Sequence, residues 1–263
     1  MANKYYIYTL RQPARALFSN LTVASRPKTV AEAKTKYSVT LGIEDDEDAK
    51  ALFQLEAQAL TEAFGSFSKP EDYQLAVISG AKAAERELLK ADLASRGKSA
   101  DEVFKIKEKA EKRAEQYRAY KAILNASSRT SAFDRFLDRY MNDLDAKERE
   151  NADRFGFKLG VLSTKGVTTL DTQLLFNEYK DKFYSGAYLG GTFNLNAWPR
   201  KKAEDKDGVT CYLKNMVFVK DGERLTHERS LDDEFSHYQG HATEYSPTQA
   251  AGQKQAAVNA HDF

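Results

Sequence analysis

Residues 183–222 read FYSGAYLGGTFNLNAWPRKKAEDKDGVTCYLKNMVFVKDG. The stretch predicts two β-strands around a charged loop, the second closed by an Asp221-Gly222 turn. In the first run Ala187, Leu189, Gly191, Phe193, Leu195 and Ala197 alternate with Tyr188, Gly190, Thr192, Asn194, Asn196 and Trp198. Successive strand side chains point to opposite faces. One face is therefore apolar and packs on a core, and Phe193 belongs to it. The other sets Tyr188 and Trp198 among glycines and small polar residues and ends at Arg200, Lys201 and Lys202. In the second run Val209, Cys211, Leu213, Asn215, Val217 and Val219 alternate with Thr210, Tyr212, Lys214, Met216, Phe218 and Lys220. Flat aromatic surfaces beside a basic loop suit single-stranded nucleic acid. The same pattern also fits the solvated face of an ordinary antiparallel sheet.

Further strands flank this pair. Residues 14–24, ARALFSNLTVA, and 35–43, TKYSVTLGI, alternate with period two and form an antiparallel pair across a ten-residue connection. The acidic run Glu44–Asp48 then opens a helix that Gly65 stops. A helix start explains those acids without a metal ion. Residues 70–150 are highly charged and helical in pattern. One helix runs from Pro70 to about Ser95, and Gly97 breaks it. A second follows the capping-box pair Ser99 and Glu102 through Leu124, and a third follows Ser131. This block reads as an insertion, an arm or a subunit contact. From Phe155 the β pattern returns, with TLDTQLLFNEYKDKF as a short helix or an extended connection. Residues 246–263 hold few bulky apolar groups and read as a disordered tail.

The composition narrows the function. At 263 residues the chain can bury a sizeable core. No apolar run approaches a membrane span, and the start, MANKYYIYTLRQPAR, is not a secretory signal. A single cysteine, Cys211, excludes a disulfide framework, fits a reducing cytoplasm and reads as a small core residue. Net charge is only +1, but residues 1–40 carry +6, residues 41–70 carry −5 and residues 226–263 carry −4. No phosphate-cradling glycine loop or GxSxG elbow occurs. His237 and His241 stand four apart, but no Glu or Cys completes a zinc set. The chain therefore reads as a non-enzyme without a cofactor or metal.

Two segments resemble phage single-stranded-DNA-binding proteins, similar to the podophage replication proteins that coat single strands. The first is ARALFSNLTVASRPK…TKYSVTLGI with its acidic helix start. The second is FYSGAYLGGTFNLNAWPRKK…GVTCYLKNMVFVKDGERL with the acids and Phe235 that follow. The resemblance covers roughly residues 10–65 and 180–236. It implies an α+β, mainly β fold: an OB-fold-like five-stranded β-barrel, within one domain over 1–245, carrying the helical insertion at about 70–150. The implied function is sequence-independent coating of single-stranded DNA in phage replication or recombination, in the cytoplasm of an infected bacterium. Tyr188 and Trp198, then Tyr212 and Phe218, are the expected stacking residues. Arg15, Arg26, Lys28, Lys36, Arg200, Lys201, Lys202 and Lys214 are the expected backbone contacts. The terminal Asp262-Phe263 resembles the acid-aromatic ends of replication single-strand binders, which implies phage replication proteins as partners of the tail. A homo-oligomer is a further expectation. Strand annealing, or a scaffold that binds no DNA, are the alternatives.

Overall fold

The computed structural model describes residues 6–25, 35–65, 67, 69–129, 131–132, 146–147, 149–150, 156–200 and 205–225. Ten strands form one mixed sheet among these residues: β1 (Tyr6–Thr9), β2 (Ala14–Ser25), β3 (Lys36–Ile43), β4 (Tyr73–Gln74), β5 (Val77–Ser79), β6 (Ala122–Ser128), β7 (Lys158–Ser163), β8 (Gly166–Thr169), β9 (Tyr188–Trp198) and β10 (Asp207–Lys220). Five of them pair in a closed cycle, β2–β3–β6–β10–β9 and back to β2. The β6–β10 pair is parallel and the other four pairs are antiparallel. β1 adds to β9, β7 adds to β10 and carries β8, and the short β4 and β5 lie against β10 and β6.

Inward residues of the cycle build the main core. Leu21, Tyr37, Val39, Leu41, Leu124, Leu189, Phe193 and Leu195 are all buried there with Phe157. Helix α1 (Asp46–Phe64) packs on this core through Leu52, Ala59 and Leu60. Its start follows the acidic pattern: Asp45 Oδ1 accepts from the Asp48 N–H at 2.8 Å, and Gly65, at φ 83°, ends it. Asp48 is wholly buried and accepts from the Tyr8 hydroxyl at 2.6 Å and from the Arg11 and Gln12 N–H groups. The acids of this stretch thus start a helix and fasten β1 to it.

Helices α2 (Gly80–Ala94) and α3 (Ala100–Arg118) form an antiparallel hairpin. Ala91, Ala110 and Ala114 are buried in it, and Arg113 bonds Glu87 across it at 3.0 Å. The Ser99–Glu102 capping box is present. Leu17, Ile78, Ala83, Tyr120 and Ile123 make a second, smaller core between the hairpin and the sheet.

The expected helical block at 70–150 needs correcting. Pro70–Asp72 is one 3-10 turn, followed by β4 and β5, and α2 starts only at Gly80 behind the Ser79 cap. α3 stops at Arg118, and Ala122–Ser128 is a strand of the closed cycle. The helix expected after Ser131 lies largely outside the described residues, as does the tail. Residues 172–182 are a short helical connection, one of the two options in the sequence.

Candidate nucleic-acid interface

The alternation read from β9 holds through most of its length. Leu189, Phe193 and Leu195 are fully buried, and Tyr188, Thr192, Asn196 and Trp198 are half-buried. β10 behaves differently. Val209, Cys211 and Leu213 point inward, but the register with β9 slips between Leu213 and Asn215. A bulge of this kind adds one residue and reverses which face the following side chains take. Beyond it Met216 and Phe218 are buried, at 0% and 6% exposure, and Val217 and Val219 are not. Phe218 is therefore a core residue, with Lys182 Nζ 5.1 Å from its ring centroid, and the expected stacking role is corrected.

Tyr212 lies on the outer face, 40% exposed. The registers place it in a row that crosses all five strands of the cycle: Asn20, Ser38, Ser127, Tyr212, Asn194. Its neighbours in the row are small and polar, so the ring stands above them. Thr40 and Asn125 pair alongside, joined by a 2.8 Å hydrogen bond between their side chains. Asn194 is 6% exposed, and its Oδ1 finds no hydrogen-bond partner. A buried acceptor left open costs about 1–3 kcal/mol.

Trp198 joins this face. Its Nε1 donates to Thr210 Oγ1 at 2.9 Å, and Thr210 precedes Tyr212 by two residues on the same side of β10. Lys214 follows Tyr212 by two, at the bulge. Lys36 is exposed and lies two residues before Ser38 of the row. Arg200 is exposed, with its N–H bonded to Asp207 Oδ1 at 2.7 Å. Tyr212, Trp198, Lys214 and Lys36 thus share the outward face of the cycle, and Arg200 follows Trp198 by two residues in the connection beyond it. Arg26, Lys28, Lys201 and Lys202 lie outside the described residues, in the β2–β3 and β9–β10 connections.

Two expected residues are not brought to this group. Tyr188 begins β9, ten residues from Trp198, a separation of about 33 Å along a strand. Its ring is covered by Lys220, with Nζ 4.6 Å from the centroid. Arg15 pairs with Tyr188 in register and donates to Glu223 O at 3.2 Å. Both belong to the end of the sheet where residues 221–225 leave it. There the Tyr184 hydroxyl bonds Gly222 and Asp221, and Lys182 holds Asp221 below the usual carboxylate range.

The polar row has no signature in the sequence alone. Asn20, Ser38, Thr40, Asn125 and Ser127 are small polar residues at alternate positions, a signal shared with any solvated sheet face. Only the registers align them. Among the described residues no cluster of three or more His, Cys, Asp or Glu could hold a metal ion. Among them too, no helix is long and apolar enough to cross a membrane. Cys211 is buried beneath the row, and burial raises its thiol pKa well above the ordinary value, as befits a core residue.

Comparison with curated proteins finds no match. Among solved structures, the single-stranded DNA-binding protein from bacteriophage Enc34 aligns over 86% of this chain and 87% of its own. The TM-score is 0.46 and the identity 10%. The same phage protein in complex with ssDNA aligns over 82% and 87%, with TM-score 0.45 and 11% identity. Gp2.5, a single-stranded DNA-binding protein encoded by bacteriophage T7, aligns over 92% and 98%, with TM-score 0.41 and 12% identity. The family model of the ssDNA-binding protein of Enterobacter phage Enc34 matches residues 11–245, and the chain belongs to that family.

Proposed function

We propose that this chain is a non-enzymatic, sequence-tolerant single-stranded-DNA-binding protein that coats DNA during phage replication, inside the infected host cell. Family membership supports the reading. The observation that carries it on this chain is the exposed Tyr212, standing in a polar row that crosses the whole strand cycle. The cycle has the pairing order of an OB-fold, and we read it as one small barrel. Barrels of that kind bind oligonucleotides on the face of their second and third strands, flanked by the loops after the first and fourth. Here those strands are β3 and β6, and the loops are the connections that carry Arg26 and Lys28, and Arg200, Lys201 and Lys202. Tyr212 sits between the two basic connections. In the direction of Lys214 the pairing leads to Ser128, Tyr37 and Lys36, and in the direction of Thr210 it leads to Trp198.

Bases would stack on Tyr212 and Trp198, at about 1–3 kcal/mol each, while the cations follow the phosphates. The domain would run over 1–245. The tail from 246 is the expected contact for phage replication proteins, and a homo-oligomer is compatible with the exposed hairpin. Titration of a fluorescently labelled oligo-dT into the protein tests the reading. Saturable binding without preference among single strands of mixed sequence supports it. Absence of binding at low salt overturns it.

A further inference from the structure

The indole of Trp198 is fixed before any ligand arrives. Its Nε1 donates to Thr210 Oγ1 at 2.9 Å across the β9–β10 pair. Its register partner is Gly208, where an added Cβ would lie 2.7 Å from the indole Cζ2 and 2.8 Å from the Gln74 carbonyl oxygen of β4. Gly208 is thus held between the ring on one side and β4 on the other, and only a residue without a side chain fits. The chain beside the ring is tied down as well. The Arg200 N–H donates to Asp207 Oδ1 at 2.7 Å, and Lys206 donates to the Glu71 carbonyl. The hydroxyl sets the tilt of the ring, and the glycine sets how closely it lies on β10.

We propose that Thr210 and Gly208 are positioning residues that hold Trp198 as a preset stacking platform beside Tyr212. The proposal rests on the single-strand reading above. Immobilising a rotamer-rich side chain on binding costs affinity, and a ring already locked avoids that cost. Thr210 and Tyr212 are two residues apart on one strand face, about 6.6 Å. The two rings therefore offer adjacent platforms in fixed relation, which a freely rotating indole would not.

The test titrates labelled oligo-dT into the full chain and compares Thr210→Val, Thr210→Ser and Trp198→Phe with wild type. Valine keeps the shape of threonine and removes the acceptor. Phenylalanine keeps a ring and removes the donor. We expect Thr210→Val to weaken binding about three- to tenfold, the range set by one net hydrogen bond, with serine restoring it. Trp198→Phe combined with Thr210→Val should bind no more weakly than Trp198→Phe alone. Trp198 is the single tryptophan, so its indole N–H gives one NMR resonance. Without DNA, that proton should exchange faster with solvent in Thr210→Val and return to wild-type behaviour in Thr210→Ser. A purely structural role for Thr210 would lower the melting temperature and leave the Ser and Val variants equal in binding. Wild-type affinity in Thr210→Val, or fully additive losses in the double variant, overturns the positioning role. A wild-type chain that binds no oligo-dT overturns the single-strand reading itself, and this proposal with it.

Discussion

Tyr212 and Phe218 lie six residues apart on one strand, with the same parity and opposite fates. Both alternations through residues 215–219 present apolar side chains, Val217 and Val219 in one and Met216 and Phe218 in the other. Composition therefore could not reveal the bulge at Leu213–Asn215, and strict counting placed Phe218 outside. The consequence is testable. Tyr212→Ala should weaken oligo-dT binding by about 1–3 kcal/mol and leave the melting temperature nearly unchanged. Phe218→Ala should cost about 3–5 kcal/mol of stability in urea denaturation. The reverse pattern would restore the original face assignment. Glu56 was wholly illegible as a core residue, because a lone glutamate on a helix reads as surface. It is buried, and its Oε1 accepts from the Ala76 and Val77 N–H groups at 2.7 and 3.1 Å. Burial pushes its pKa up from 4.5 to about 7, against the lowering effect of those two bonds. The folded chain therefore holds this proton more tightly than the unfolded chain does. Its contribution is fully present below about pH 4.5 and is lost as pH rises through about 7. Glu56→Gln keeps an oxygen for both N–H groups and removes the charge. It should gain on the order of 1–3 kcal/mol at pH 8 and flatten the stability profile between pH 5 and 8. A wild-type profile that rises with pH across that window would contradict the assignment.

At the scale of elements, local signals with a mechanism were the legible ones. The acidic start and glycine stop of α1 and the capping box of α3 depend on neighbours in sequence, and the structure has all of them. β6 was hidden because its pairing is remote. Ala122–Ser128 follows a charged helix closely, and pairing with β3, β5 and β10, all remote in the chain, makes it a strand. Its buried Ala122, Leu124 and Ala126 alternate, yet a three-residue apolar pattern also continues a helical stripe. The join between hairpin and sheet depends on Gly80. A Cβ there would lie 2.2 Å from the carbonyl oxygens of both Tyr117 and Tyr120. Helix propensity alone favours alanine over glycine by about 1 kcal/mol. Gly80→Ala should nonetheless lower stability, by about 1–3 kcal/mol, because backbone rather than a flexible side chain must move. Thermal melting decides the sign, and a raised melting temperature would show that the hairpin shifts freely on the sheet.

Over the whole molecule, charge is nearly balanced at +1, and that balance conceals how it is divided. Residues 226–263 hold six acidic and two basic residues, so residues 1–225 carry a net +5. The proposed face draws on Lys36, Lys214 and Arg200 and on the basic connections that hold Arg26, Lys28, Lys201 and Lys202. If about 4–6 of these cations each neutralise a phosphate, log affinity for oligo-dT should fall against log salt with a slope near −3 to −4. A slope near zero would remove the electrostatic part of the proposal. The acidic C-terminal residues add a second dependence. Negative charge close to the face would oppose the approach of a polyanion at low ionic strength and would be screened beyond about 10 Å at 0.1 M salt. The latch formed by Tyr184, Asp221, Gly222 and the Leu225 N–H bond to Ser185 lies wholly before Thr226. A chain ending at Leu225 keeps this latch and every strand of the cycle. It should bind oligo-dT more tightly than the full chain at about 0.02 M salt, and the two affinities should converge near 0.3 M as screening removes the difference. The salt slope of the shortened chain should accordingly be the steeper of the two. Tighter binding that persists at high salt would mean that the C-terminal residues block the face by direct contact instead. Weaker binding at every salt would make them part of the interface.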